Sequence, residues 1–221
     1  MMKQLHPFIK THLIFLIVAA PLLFIEKGTF VLWFNQNHTA LMDAFFKYIT
    51  HLGGGLMALL FFLVFLSFSY YKTIVYAVAL FLSVFAIEGI GKKLLFSHVL
   101  RPVYHYADQI ALNFIEGATS PGLQSFPSGH TGAAFTLMAF LAFISPRKYS
   151  IPLFAIGLLV GISRMYLLQH FFVDIYAGSI VGSAMVLLSF YFFRHYTNLY
   201  EKPSWRRGLL FSEKQIPKWS G

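Results

Sequence analysis

The sequence predicts an all-α membrane protein, a bundle of six transmembrane helices with one or two interfacial helices on the outer face. Three observations predict it. Hydrophobic residues make up 57% of the chain and charged residues only 11%, about half the charged share of a soluble domain. Mean hydropathy is +0.67, and 26 phenylalanines present more apolar surface than one soluble core of this size takes up. Apolar runs at 9–25, 56–71, 74–91, 131–145, 151–169 and 172–193 are long enough, or nearly so, to cross roughly 30 Å of hydrocarbon at about 1.5 Å per residue. At membrane depth such runs form helices, because open strands leave backbone groups unpaired in lipid.

The first run follows Lys3 and Lys10 and so has the outline of a signal peptide. It reads as an uncleaved span, since Pro21, Leu22 and Leu23 follow Ala19 and Ala20, and losing it would spoil the even count that keeps both termini on one side. After it, Leu41, Phe45, Ile49 and Leu52 recur at helical spacing beside Trp33 and Tyr48. That pattern fits a helix lying in the outer interface, or a loop packed over the bundle. The stretch 102–126 is the longest loop, and its 107–116 segment has the pattern of a short amphipathic turn at an entrance between two motifs. No linker or repeat divides the chain, which reads as one domain over 1–221 with a basic tail from 194 to 221. There is no cysteine, so thiol chemistry is excluded.

Charge sets the orientation. The net charge of +9 is spread between apolar runs, which suits topology and not a groove that tracks nucleic acid. Eleven of the 17 Lys and Arg residues fall at the N-terminus, the 71–73 turn, the 146–150 loop and the tail. The other side holds Lys27, Lys47, Lys92, Lys93, Arg101 and Arg164. The positive-inside rule makes the first side cytoplasmic, with both termini there. The tail then meets anionic headgroups.

Three short stretches on the outer side carry chemistry. In Ser163-Arg164-x5-His170-x3-Asp174 the histidine and the carboxylate are spaced to share a helix face. A carboxylate there accepts Nδ1–H and leaves Nε2 unprotonated, as a nucleophile requires, and Arg164 offers a planar fork for phosphate oxygens. The same pair alone could merely cap the start of the last span. Pro127-Ser128-Gly129-His130 is a turn at a helix start, where free amides bind phosphate, and His130 is placed to protonate a leaving oxygen. Lys93 and Arg101-Pro102 add cations. Lys92 has a competing partner in Glu88, four residues back, which makes Lys93 the freer of the two lysines. His98, His105, His130, His170 and Asp174 lack compact metal-ligand spacing, so no metal or cofactor is expected. His98 and His105 read as loop residues, and His51 as structural.

Together these stretches resemble the type 2 phosphatidic acid phosphatase (lipid phosphate phosphatase) superfamily, whose pattern is Lys-x6-Arg-Pro, Pro-Ser-Gly-His and Ser-Arg-x5-His-x3-Asp. The second and third match without exception. In the first, seven residues separate Lys93 from Arg101, and the extra one is assigned to the loop after Phe96. The resemblance implies six spans with the motifs at their outer ends. It implies that Lys93, Arg101, Ser128, Gly129 and Arg164 hold the phosphate, that His170 forms a phosphohistidine, that Asp174 orients it, and that His130 protonates the leaving oxygen and then activates water. It implies a bacterial inner-membrane phosphatase working at the outer leaflet. Its substrate would be undecaprenyl diphosphate, phosphatidylglycerophosphate, phosphatidate or a lipid A phosphate. Membrane lipids are then the partners, with no nucleic acid and no obligate protein partner. A lipid phosphotransferase and a non-enzymatic lipid-binding protein are the alternatives. The soluble vanadate-dependent haloperoxidases share the motifs but not the apolar spans.

Overall fold

The computed structural model describes residues 5–107, 112–115 and 122–211. The described residues are helical, apart from turns and one isolated antiparallel bridge between Leu100 and Gln124. The helices are α1 (Pro7–Ala19, continued by a 3₁₀ turn Ala20–Phe24), α2 (Thr29–Gln36), α3 (Ala40–Ile49) and α4 (Gly55–Phe68). Next come α5 (Tyr70–Val84), the short α6 (Pro102–His105) and α7 (Gly129–Ile144). The chain ends with α8 (Ser150–Tyr166), α9 (Phe172–Tyr196) and the short α10 (Pro203–Arg206).

Among the described residues, four helices are long and apolar enough to cross a membrane: Pro7–Phe24, Tyr70–Leu95, Arg147–Tyr166 and Phe172–Tyr196. A fifth candidate is the pair Ala40–Gly53 and Gly55–Phe68, bent by 51° at its break. The helix Gly129–Ile144 is apolar but shorter. This is a multi-pass membrane protein with four to five candidate spans by length and composition. The Leu41–Leu52 stretch, expected as an interfacial helix or a packed loop, is helical: it forms α3 with a 3₁₀ extension Thr50–Gly53 that leads into α4. The amphipathic turn expected over 107–116 falls largely outside the described residues.

The short helix α7 is the axis of the bundle, packing against α9, α8 and α5. Phe135, Leu137, Phe140 and the alanines at 134, 139 and 142 are buried within it. A helix enclosed by its neighbours has no lipid face, and small side chains let their backbones approach closely. On the outer helices Ile17, Val18, Leu56, Leu188 and Phe192 are exposed instead, as expected where the solvent is hydrocarbon. Around α7 the core is largely aromatic, with Phe65 edge-on to Phe140 and Tyr76 and Phe140 stacked on Phe190.

One departure from α-geometry matters for the site. Beyond Val84, α5 continues as a π-helix over Phe85–Leu95, closed by the Phe96 amide on the Gly91 carbonyl at 2.8 Å. Gly91 lies where a Cβ would stand 2.7 Å from Cδ of Pro127, so glycine lets the π-segment rest against the turn before α7. π-turns are rare and collect at functional sites.

Candidate active site

The three motif stretches meet at one end of α5, α7, α8 and α9. The α8 helix ends at Tyr166, and Leu168 takes a left-handed conformation, φ 57°, which costs a non-glycine residue on the order of 1 kcal/mol. The reversal lets the amides of Gln169 and His170 donate back to the Arg164 carbonyl at 2.9 and 3.1 Å. It sets His170, 1% exposed, just ahead of α9. Phe171 covers this loop, with the Lys27 ammonium 4.3 Å from its ring centre.

Asp174 is fully buried and its Oδ2 gathers three donors. The Phe171 amide donates at 2.8 Å, the Ser125 hydroxyl makes a short hydrogen bond, and Nδ1 of His170 lies 3.3 Å away. The carboxylate therefore caps the start of α9 and also lies against the imidazole. With Nδ1 turned to Asp174, Nε2 is the free nitrogen of His170. Burial holds the His170 pKa down at about 4 against the opposing pull of Asp174, so the ring is neutral near pH 7.

The Pro127–His130 turn docks on the same helix. The Ser128 amide donates to the Asp174 carbonyl at 3.1 Å, and a Cβ on Gly178 would come within 2.7 Å of the Ser128 carbonyl. Ser128 is buried and caps α7, accepting from the Thr131 hydroxyl at 2.9 Å. The first amides of α7 have no partner within the helix and favour an anion. Gly129 and His130 are half-buried at the mouth, and His130 is within electrostatic range of Arg164, His170, Lys92 and Arg101.

The cations arrive from three directions. Arg164, 1% exposed, donates through Nη1 to the Thr50 hydroxyl at 2.8 Å. Arg101 donates through Nη1 to Oε1 of Gln169 at 2.6 Å and through Nε to the Gln124 carbonyl at 3.2 Å. The segment bearing Arg101 is tied to the one preceding the Pro127 turn by amide bonds from Arg101 to Leu123 at 3.0 Å and from Ser125 to Val99 at 2.8 Å.

The third cation differs from the expected one. Lys93 is exposed, whereas Lys92 is buried, its Nζ 3.7 Å from the place of a Cβ on Gly129 and in electrostatic range of Arg101 and Arg164. The predicted pair with Glu88 does form, at 2.8 Å, but it holds Lys92 at the site instead of withdrawing it. The sequence also missed Ser125, Gln169 and Thr50. Ser125 alone carried a signal, a hydroxyl directly beside the Pro127 turn. His98, His105 and His51 are exposed.

A groove of about 550 Å³ opens at this end between α4 and α5. Glu88, Gly129 and His130 line its polar end, and Leu59, Phe62 and Leu80 line its apolar depth.

Comparison with known proteins bears on the family and the fold. A PA-phosphatase related-family protein of Dictyostelium discoideum is 33% identical over 103 residues, covering 40% of this chain and 37% of that one. Undecaprenyl-diphosphatase BcrC of Bacillus subtilis is 37% identical over 70 residues, covering 32% of this chain and 34% of its own. The chain thus spans about a third of the length of the curated relatives it matches. The crystal structure of Aquifex aeolicus LpxE shares the fold, with a TM-score of 0.64 at 24% identity over 75% of this chain and 94% of that one. The PAP2 superfamily profile matches residues 72–197, a stretch that holds every motif residue gathered above and more than half the sequence, and the chain belongs to that superfamily.

Proposed function

We propose that this protein is a membrane lipid phosphatase that hydrolyses the phosphoester of a lipid through a phosphohistidine. The observation that carries the reading is the cluster itself. A neutral His170, oriented by Asp174, is in electrostatic range of Lys92 and Arg164, and His130, in range of these and of Arg101, lines the end of an apolar groove. The match to lipid phosphate phosphatases supports the same class.

Phosphate binds among the three cations and the first amides of α7, where charge developing on its oxygens is stabilised at sites already ordered by Thr50, Gln169 and Glu88. Nε2 of His170 attacks phosphorus, forming the N–P bond as the P–O bond to the lipid breaks. His130, protonated when the anionic phosphate enters among the cations, gives that proton to the departing oxygen. Asp174 balances the positive imidazole while the ring is phosphorylated. Neutral His130 then takes a proton from water as the water oxygen attacks phosphorus. The N–P bond breaks, and inorganic phosphate leaves with His170 restored.

In the bilayer, all six apolar helices cross, with α4 and α7 the short members and α3 in the outer interface. Both termini are cytoplasmic, and the site opens to the outer leaflet of a bacterial inner membrane. The support is that the motif residues share one end of the bundle, while Lys10, Lys72, Arg147, Lys148 and Arg194 lie at the opposite ends of α1, α5, α8 and α9.

The test is phosphate release from lipid phosphates in detergent containing EDTA. Release that EDTA leaves intact and His170→Ala abolishes is expected. Activity surviving that substitution would contradict the assignment of the nucleophile.

A further inference from the structure

We infer that Glu88 determines specificity at this site, favouring a lipid phosphomonoester over a lipid diphosphate; the inference rests on the lipid-phosphatase reading above. Glu88 is, with Asp174, one of two carboxylates in a site whose other charged groups are cations. Its Oε1 accepts from Lys92 Nζ at 2.8 Å, and a Cβ on Gly129 would overlap that same oxygen. The two partners are presented differently: the Lys92 side chain is 9% exposed and the Glu88 side chain 46%. The ammonium turns inward to the cluster, and the carboxylate stays open to the groove, whose polar end it forms with Gly129 and His130.

That end is where the lipid leaves the reacting phosphorus. A chain lying along Leu59 and Phe62 passes its first atoms beyond the scissile bond between His130 and Glu88. In a monoester those atoms belong to a neutral alcohol, and any neighbouring hydroxyl donates to the carboxylate. In a diphosphate they are a second phosphoryl group, whose negative charge meets that of the Glu88 carboxylate. Lys92 is already paired with Glu88 and does not offset both anions. If Glu88 served only to position Lys92, removing its charge would weaken both substrates alike.

Farnesyl monophosphate and farnesyl diphosphate separate these cases, because they share one hydrocarbon chain. The measured quantity is the ratio of kcat/KM for the diphosphate to that for the monophosphate, in wild type, Glu88→Gln and Glu88→Asp. Comparing ratios between variants cancels the intrinsic reactivity of the two esters. The expected result is a ratio about tenfold higher in Glu88→Gln, a change worth roughly 1.4 kcal/mol, and close to wild type in Glu88→Asp. A ratio unchanged in Glu88→Gln, with both substrates slowed together, overturns the inference. Should Glu88→Gln not fold, affinity for both lipids in the His170→Asn background decides. Weaker binding of the diphosphate, despite its extra charge, is expected, and tighter binding overturns the inference. No release from either lipid by the wild type overturns the phosphatase reading and this inference with it, whereas release with an unchanged ratio overturns only the inference.

Discussion

Nδ1 of His170 lies 3.3 Å from Oδ2 of Asp174, and that oxygen also receives the Phe171 amide at the start of α9. One carboxylate thus fixes both where the last helix begins and which way the imidazole points. Asp174→Asn keeps the shape but reverses the hydrogen-bonding sense toward Nδ1. The expected effect is a fall in kcat of roughly 10⁴, the scale seen when the carboxylate behind a catalytic imidazole is neutralised. Phosphate-release kinetics on detergent-solubilised protein check it.

Ser125 makes a further bond to the same Oδ2 and lies 3.4 Å from Nδ1 of His170. It touches no reacting atom, so Ser125→Ala is expected to act through orientation. We expect kcat to fall by about 10- to 100-fold, within the range general acid–base geometry controls, with KM little changed. A KM effect as large as the kcat effect would instead mark Ser125 as a substrate contact.

The two lysines offer a sharp comparison. Lys92 is buried in the cation cluster and Lys93 is exposed. Lys92→Ala is expected to lower kcat/KM by roughly 10²–10³, the cost of removing one charge-stabilising donor. Lys93→Ala is expected to stay within about threefold of wild type, as surface substitutions usually do. Steady-state kinetics of the two variants side by side check the assignment.

Burial sets the pH response of His170. Its pKa is held down at about 4 against about 6.5 in an unfolded chain. Between those values the unfolded state carries the proton and the folded state does not. Stability contributed by this group is therefore present above pH 6.5 and is lost as pH falls toward 4. Thermal unfolding in detergent at pH 7.5 and pH 5 is expected to show a larger drop for the wild type than for His170→Asn. The acid limb of kcat/KM is expected not to arise from His170 until near pH 4.

Much of this was legible in the sequence because its determinants are local. The apolar runs fall on α1, α4, α5, α7, α8 and α9, since hydrophobic length alone decides where a helix suits lipid. Pro127–His130 and Arg164–Asp174 reveal their chemistry through fixed spacing on a turn or a helix start. The lysine was not legible, because the Glu88 partner that was expected to withdraw Lys92 instead holds it at the cluster, and spacing alone does not say which way such a pair faces. Leu168 gave no sign of its left-handed backbone, which no side-chain type other than glycine or asparagine advertises. The supports of the cations, Thr50 to Arg164 and Gln169 to Arg101, join residues far apart in the chain. Only tertiary packing brings them together.

The central claim is that Nε2 of His170 takes the phosphoryl group. Rapid acid-free quenching of the protein with a ³²P-labelled lipid monophosphate, followed by peptide mapping, tests it most directly. The account predicts a phosphoenzyme that is labile in acid and stable in alkali, maps to His170 and disappears in His170→Asn. A phosphoenzyme on another residue, or turnover in His170→Asn at the wild-type rate, would contradict it.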